Sequence, residues 1–321
     1  MSRILITGAN GFVGSAVCKY LRQSGSHLLT GTTRRSDLGV GPARVPMYHI
    51  PEIGPGTDWS KAVSGADSVI HLAARVHVMK DRSIDSLAAF RRVNTEGTKA
   101  LAAQAATAGV KRFVYVSTVK VAGKTSPKTG FSERNPAKPK DAYGISKWEA
   151  EQALTEITKA TAMEVVILRP PLVYGPGVKG NFLSLFKAIQ KGSLLPLGAI
   201  QNKRSLLYVQ NLADVIAKTI LHPNAGNQTF FVSDAETVST PDLVRKIAMA
   251  LGKNPRLFNF PLNLLQIAGR MSGRSSAVER LLGSLTIDSD HIRKKLSWEQ
   301  PYSMEEGLKE TANWFNSNII K

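Results

Sequence analysis

The chain has 321 residues, 43% hydrophobic and 21% charged, which is enough for a sizeable core and too ordinary a composition for a disordered or fibrous protein. Its 42 Lys and Arg against 24 Asp and Glu leave a net +18, so an anionic partner is expected, with plain solubility as the blander reading. The basic residues are scattered without zinc-finger spacing or aromatic-interleaved runs, which argues against nucleic acid, and the single cysteine, Cys18, excludes an intrachain disulfide and fits a reducing compartment.

From Met1 the chain runs directly into an apolar triplet and a glycine loop, without the apolar region and cleavage site of a signal peptide. No stretch reaches the roughly 18 uninterrupted apolar residues of a membrane span, so a cytoplasmic protein without stable membrane insertion is expected. Short apolar runs at 4–6, 28–32, 68–72, 113–116 and 165–168 predict buried strands. They alternate with helix-period segments at 13–21, 87–106 and 142–157, a pattern that predicts a parallel sheet covered on both faces. The expected fold is therefore α/β, a Rossmann doubly wound sheet over residues 1–170.

Beyond Arg169 the chain becomes richer in Pro and Gly, and residues 171–321 are expected to form most of a smaller substrate-binding lobe. Residues 229–232 predict a strand returning to the main sheet, and 240–251, 262–271 and 303–315 predict helices. The apolar stretch from Phe258 to Met271, with Arg270 and Arg274 near its end, is expected to be a helix packed on the second lobe, contact with a membrane surface being the alternative.

Gly8-Ala9-Asn10-Gly11-Phe12-Val13-Gly14 follows the first strand and opens the first helix. There, bare backbone lets a pyrophosphate approach the helix N-terminus. The end of the second strand normally carries an acid for the ribose 2′-hydroxyl, but here it reads Thr33-Arg34-Arg35-Ser36. Arg34 and Arg35 suit a 2′-phosphate, so NADP(H) is favoured over NAD(H), the plainer alternative being two solvated arginines. Glu52 and Ile53 are candidates for the adenine side.

Tyr143 and Lys147 stand at i and i+4, on one face of a helix, where an ammonium should lower the phenol's pKa toward working pH. Ser117-Thr118 closes the strand before it, at the end where open α/β sheets bind ligands. Together with Asn94 in Val93-Asn94-Thr95-Glu96-Gly97-Thr98, these residues resemble the extended short-chain dehydrogenase/reductase family, the NAD-dependent epimerases and dehydratases, over nearly the whole chain.

The resemblance implies catalytic roles for Thr118, Tyr143 and Lys147: a hydroxyl on the sugar oxygen, the acid/base, and a hold on the nicotinamide ribose. It further implies cofactor contacts from Leu72, Ala73, Ala74, Asn94, Ser117 and Pro170, with His71 a core residue. Asn181, Arg204 and Arg280 are implied to bind the UDP part of a UDP-sugar, and no metal is implied. A homodimer is expected.

Thr118 is followed by Val119-Lys120-Val121 and lacks the Asp-Glu pair of sugar-nucleotide dehydratases. Within the family the motifs look closest to UDP-N-acetylquinovosamine dehydrogenases. That implies NAD(P)H-dependent reduction of a UDP-4-keto-6-deoxy-hexosamine in bacterial surface-polysaccharide (lipopolysaccharide O-antigen) synthesis. A UDP-glucose or UDP-N-acetylglucosamine 4-epimerase uses the same residues and stays open, as does a non-catalytic nucleotide- or RNA-binding Rossmann protein.

Overall fold

The structure, a computed structural model, describes residues 1–76, 85–271 and 275–319, the last segment without side chains at 275–277. Arg274 lies outside the described residues. The strands in chain order are β1 Ser2–Thr7, β2 His27–Thr33, β3 Met47–His49, β4 Ser68–His71 and β5 Arg112–Val116. They continue with β6 Glu164–Arg169, β7 Leu172–Tyr174, β8 Arg204–Tyr208, β9 Gln228–Phe231 and β10 Thr237–Val238. Seven form one sheet in the order β3-β2-β1-β4-β5-β6-β9, with every neighbouring pair parallel. This is the Rossmann order extended by one strand, and β9 is the return strand expected at 229–232. The other three form a small sheet, β10-β8-β7.

Period-two alternation explains why the strands read as continuous apolar runs. Ile4, Ile6, Val114, Val166 and Leu168 point into one core layer. Leu5, Phe113, Tyr115, Val165 and Ile167 point into the layer on the opposite face. Helices α1 Phe12–Gln23, α2 Ser60–Val63, α3 Ser86–Phe90, α4 Gly97–Thr107 and α5 Ala142–Ala160 accompany the first six strands. The first layer takes Val17, Cys18 and Leu21 from α1, and the second takes Leu101, Ala102, Ala150 and Leu154 from α4 and α5. Cys18 is a core thiol, pushed up to about 12 by burial, and so chemically quiet.

The remaining helices are α6 Gly180–Gln190, α7 Val209–Leu221, α8 Thr240–Ala250, α9 Leu262–Met271, α10 Ser275–Leu282, α11 Asp290–Leu296 and α12 Met304–Ile319. Phe182, Phe186 and Ile189 of α6 meet Val244 and Ile247 of α8 and Leu308 and Phe315 of α12 in a separate core beside the small sheet. Helix α9 packs Gly269 so tightly on Val278 that an added Cβ would lie 2.6 Å from its Cγ2. Its other side carries half-exposed Leu264 and Ile267, so the 262–271 helix is only partly packed as expected.

The expected single helix at 87–106 is interrupted by a π-helical segment, Arg91–Glu96, between α3 and α4. Polar capture explains the interruption. Asn94 donates to the Ser146 hydroxyl (3.0 Å) and Thr95 to the Ser146 carbonyl (2.9 Å), anchoring the widened turn on α5.

Candidate active site

The loop joining β1 to α1 is shaped by glycine. Gly8 adopts φ +67°, and a Cβ there would come within 2.9 Å of the Ala73 nitrogen, so only glycine lets this loop lie against the Leu72-Ala73 chain after β4. A Cβ on Gly14 would fall 2.1 Å from the Gly8 carbonyl, which forces glycine where α1 leaves the loop. Gly11 caps α1 without a side chain, and the first turn, with Phe12 and Val13, holds no acid. The result is a helix N-terminus able to take a diphosphate.

Beneath the loop, the Thr7 hydroxyl and the Thr98 hydroxyl bracket the His71 ring at Nδ1 (2.6 Å) and Nε2 (3.0 Å). Burial first, and the Lys147 ammonium second, pull the His71 pKa down to about 3, so the imidazole is a neutral core group. Asn10 donates to the Thr33 hydroxyl at the end of β2 (3.2 Å), tying the glycine loop to the strand that follows.

The two arginines after β2 do not act alike. Arg35 forms a bidentate pair with Asp37 (2.8 and 3.1 Å), an acid absent from the sequence reasoning, whereas Arg34 is exposed and makes no ion pair among the described residues. Glu52 is held by Arg92 (2.7 Å). Ile53 packs against the start of α4, where a Cβ on Gly97 would lie 2.5 Å from its Cγ2. Asn94 accepts from the Arg75 amide (2.7 Å) and donates to the Arg75 carbonyl (3.0 Å). With its second N–H on Ser146, the carboxamide is occupied in holding the chain beyond Ala74 in place.

Thr118 leaves β5 in an extended conformation, and its hydroxyl accepts from the Lys120 amide (3.3 Å). Asp141 caps α5 by accepting from the Gly144 amide (2.7 Å), which sets Tyr143 in the first turn and Lys147 one turn on, facing β5. The Lys147 ammonium donates to the Val116 carbonyl (2.7 Å) and lies 4.0 Å over the Tyr115 ring. Burial brings its pKa down to about 7 against the opposing pull of Glu151. Tyr143 differs from the sequence expectation: its packed surroundings, then the Asp141 carboxylate, hold the phenol above its ordinary value. Desolvation outweighs the lysine here because the ammonium is aimed at Val116.

Ser117 donates to Glu151, and Arg169 makes a bidentate pair with that same carboxylate (2.5 and 3.1 Å). Glu151 is buried and Arg169 largely so, and Ser117 is thereby committed to structure beneath the site. Pro170 contributes its carbonyl, which accepts from the Val119 amide (2.9 Å) and fixes the turn after Thr118.

A cavity of about 750 Å³ opens next to these residues. Lys120, Lys124, Lys140 and Asp141 line one side, and Arg204, Arg270, Glu279 and Arg280 the other. Arg204 donates to the Arg280 carbonyl (2.6 Å), and its pKa is lowered by burial and by the Arg280 guanidinium. Two like charges kept this close favour an anionic ligand. Asn181 is exposed on α6 and does not line this cavity.

The model of the NAD dependent epimerase/dehydratase family matches residues 4–232, spanning the glycine loop, Thr118, Tyr143 and Lys147. The chain belongs to this family. A UDP-glucose 4-epimerase of Vibrio cholerae is 41% identical over 97% of this chain and 95% of its own length. An N-acetyl-alpha-D-glucosaminyl-diphospho-ditrans,octacis-undecaprenol 4-epimerase of Escherichia coli O157:H7 is 28% identical over 97% of this chain and 94% of its own. Among solved structures, MoeE5 in complex with UDP-glucuronic acid and NAD superposes with a TM-score of 0.79 at 23% identity, covering 99% of this chain and 100% of that one.

As a member of the epimerase/dehydratase family, the chain has four residues beside its site that the sequence reasoning missed: Lys120, Asp141, Glu151 and Arg169. Only Asp141 carried a readable signal, an N-cap acid just before a helix-period segment. Lys120 reaches Asp141 (2.7 Å) and lies 5.5 Å over the Tyr143 ring, a contact across 23 positions that only the fold creates.

Proposed function

We propose that the chain is a UDP-sugar 4-epimerase that uses NAD(H) and acts on a UDP-hexose or UDP-N-acetylhexosamine. The observation that carries this reading is the cavity in which Arg204 and Arg280 face the Lys120–Asp141 pair beside Tyr143. It offers guanidinium donors for a sugar diphosphate in a hollow whose Lys120 wall lies 5.5 Å over the ring of Tyr143, a phenol that can exchange protons. The full-length similarity to a UDP-glucose 4-epimerase supports the reaction type.

The glycine loop fits a dinucleotide: Gly8, Gly11 and Gly14 leave backbone bare at the start of α1, with Asn10, Phe12 and Val13 beside them. A bound nicotinamide supplies the acceptor and donor of hydride at the sugar C4. Tyr143 Oη takes the proton of the C4 hydroxyl and returns it, Thr118 holds that oxygen by hydrogen bond, and Lys147 is assigned to the nicotinamide ribose. Leu72, Ala73 and Ala74 form a small-residue wall next to the loop. Glu52 and Ile53 are assigned to the adenine side, and Arg280 with Arg204 to the diphosphate.

A second reading, reduction of a UDP-4-keto-6-deoxy-hexosamine with NADPH, is favoured by Arg34, a cation standing where a 2′-hydroxyl partner would be an acid. The two are separated by incubating the protein with UDP-glucose and UDP-N-acetylglucosamine without reductant, and with the keto-sugar plus NADPH or NADH. Interconversion of C4 epimers with no net change in nicotinamide absorbance is expected. Absence of epimerisation together with stoichiometric oxidation of added cofactor overturns the epimerase reading in favour of the second.

A further inference from the structure

Beside the exposed polar residues Asn263, Gln266 and Arg270, the solvent side of α9 carries an apolar stripe. Leu264 and Ile267 are each 50% exposed and Met271 is 86% exposed, at i, i+3 and i+7, so they form one stripe along the helix. The opposite side of the helix is used up, since Leu262 packs on the second core and Gly269 on Val278. Just before α9 the stripe is extended by Phe258, 37% exposed, which bonds through its backbone to Leu195 (3.1 Å), next to Leu194 at 58% exposed. An amphipathic helix normally turns its polar side outward, so this arrangement calls for a cover.

The chain segments that carry the stripe and pair with it hold charge of one sign. Residues 251–271 carry Lys253, Arg256 and Arg270 and no Asp or Glu. Residues 177–203, which pair with them through Leu195 and Arg256 (2.8 Å), carry four lysines and likewise no carboxylate. The nearest acid beyond α9 in sequence is Glu279, on the cavity wall. Apolar side chains at half exposure within a field of cations match an anionic bilayer surface, in which the side chains enter the acyl boundary and the cations meet phosphate headgroups. A second copy of the chain would place like charge against like charge and fits less well.

We infer that α9 and the adjoining 194–195 and 256–258 segments form a docking surface for an anionic membrane. Gln266 and Arg270 of the same helix line the cavity, so docking sets the cavity wall at the bilayer surface. The inference does not depend on which sugar the cavity takes.

Flotation of the full chain with phosphatidylglycerol-containing vesicles, against pure phosphatidylcholine, tests it. Binding is expected only to the anionic vesicles and is expected to weaken as salt is raised. The triple variant Leu264→Ser, Ile267→Ser, Met271→Ser should lose roughly tenfold or more of the bound fraction with its thermal midpoint unchanged. A second variant, Lys191→Gln with Lys253→Gln, leaves the stripe intact and should also weaken binding. No flotation of the wild type, or equal flotation of wild type and both variants, overturns the inference. So does a wild-type dimer that the triple variant converts to a monomer, which would make the patch a subunit interface.

Discussion

His71 should make the protein acid-sensitive in a calculable way. Its imidazole is buried between Thr7 and Thr98, with a pKa of about 3 in the fold against 6.5 when exposed. Because the folded value is depressed, the unfolded chain takes up a proton below pH 6.5 while the folded chain does not. Stability from this group is therefore intact above pH 6.5 and is lost progressively as the pH falls toward 3. Integrating that difference from pH 7 to pH 5 gives a loss of about 2 kcal/mol. The change His71→Gln keeps a polar group between the two threonines and removes the titration. At pH 7 the variant should be less stable by about 1–3 kcal/mol, through poorer hydrogen bonding of a buried site. At pH 5 the gap to wild type should shrink by about 2 kcal/mol. Urea unfolding of both proteins at the two pH values measures it, since shared contributions from other groups cancel in the difference. A gap that stays constant or widens on acidification would refute a neutral, buried His71.

Three further outcomes follow from the site. Tyr143→Phe should lower turnover about 10² to 10⁴-fold while leaving nucleotide binding nearly intact, measured by steady-state rates and cofactor titration; unchanged rates would remove the phenol from the chemistry. Arg34→Ala should weaken NADPH binding roughly tenfold and leave NADH nearly unaffected, read by fluorescence titration of each; equal effects would place the guanidinium away from the 2′ position. Lys120→Met removes the ammonium that faces Asp141 (2.7 Å) beside a phenol already raised in pKa, so the ascending limb of the rate–pH profile should move upward by up to about one unit, with Lys120→Arg restoring it; an unmoved limb would confine Lys120 to the cap of α5.

The sheet was legible because every strand buried on both faces leaves an uninterrupted apolar run, and the run at 229–232 identified even the returning strand. Strands β3, β7 and β10 were missed because two or three residues carry no periodicity, and the five-residue β8 was missed as well, since Leu206 and Leu207 after Arg204 and Ser205 make too short an apolar run. Helix α7, with an apolar face rich in Leu, Val and Ile, was missed because it follows β8 without a turn signal. At the site, the glycine loop and the Tyr143–Lys147 spacing were readable, since local geometry dictates both. The partners of Arg35, Asn94 and Ser117 were not, although each decides what its side chain has left to offer. Whether a guanidinium is available depends on an acid two residues away in one case and on a fold-wide cavity in another, and nothing in residue type distinguishes Arg35 from Arg204.

That distinction bears on the reaction. A reductase must exchange its nicotinamide cofactor at every turnover, whereas an epimerase gains by holding it, so the β2 end and the reaction type are linked through cofactor release. Of the two arginines after β2, Arg35 is paired to Asp37, and Arg34 stands at an exposed edge where water competes for every hydrogen bond it could offer a 2′-phosphate. One solvated cation shifts a preference without excluding NAD(H), because nothing here repels a 2′-hydroxyl. A strong NADPH preference would therefore require recognition beyond Arg34, and weak discrimination with slowly released NAD(H) is what the epimerase reading demands. Cofactor copurifying with the protein, identified after denaturation, decides between them: bound NAD(H) supports retention, and an apoprotein that prefers NADPH supports turnover-linked exchange.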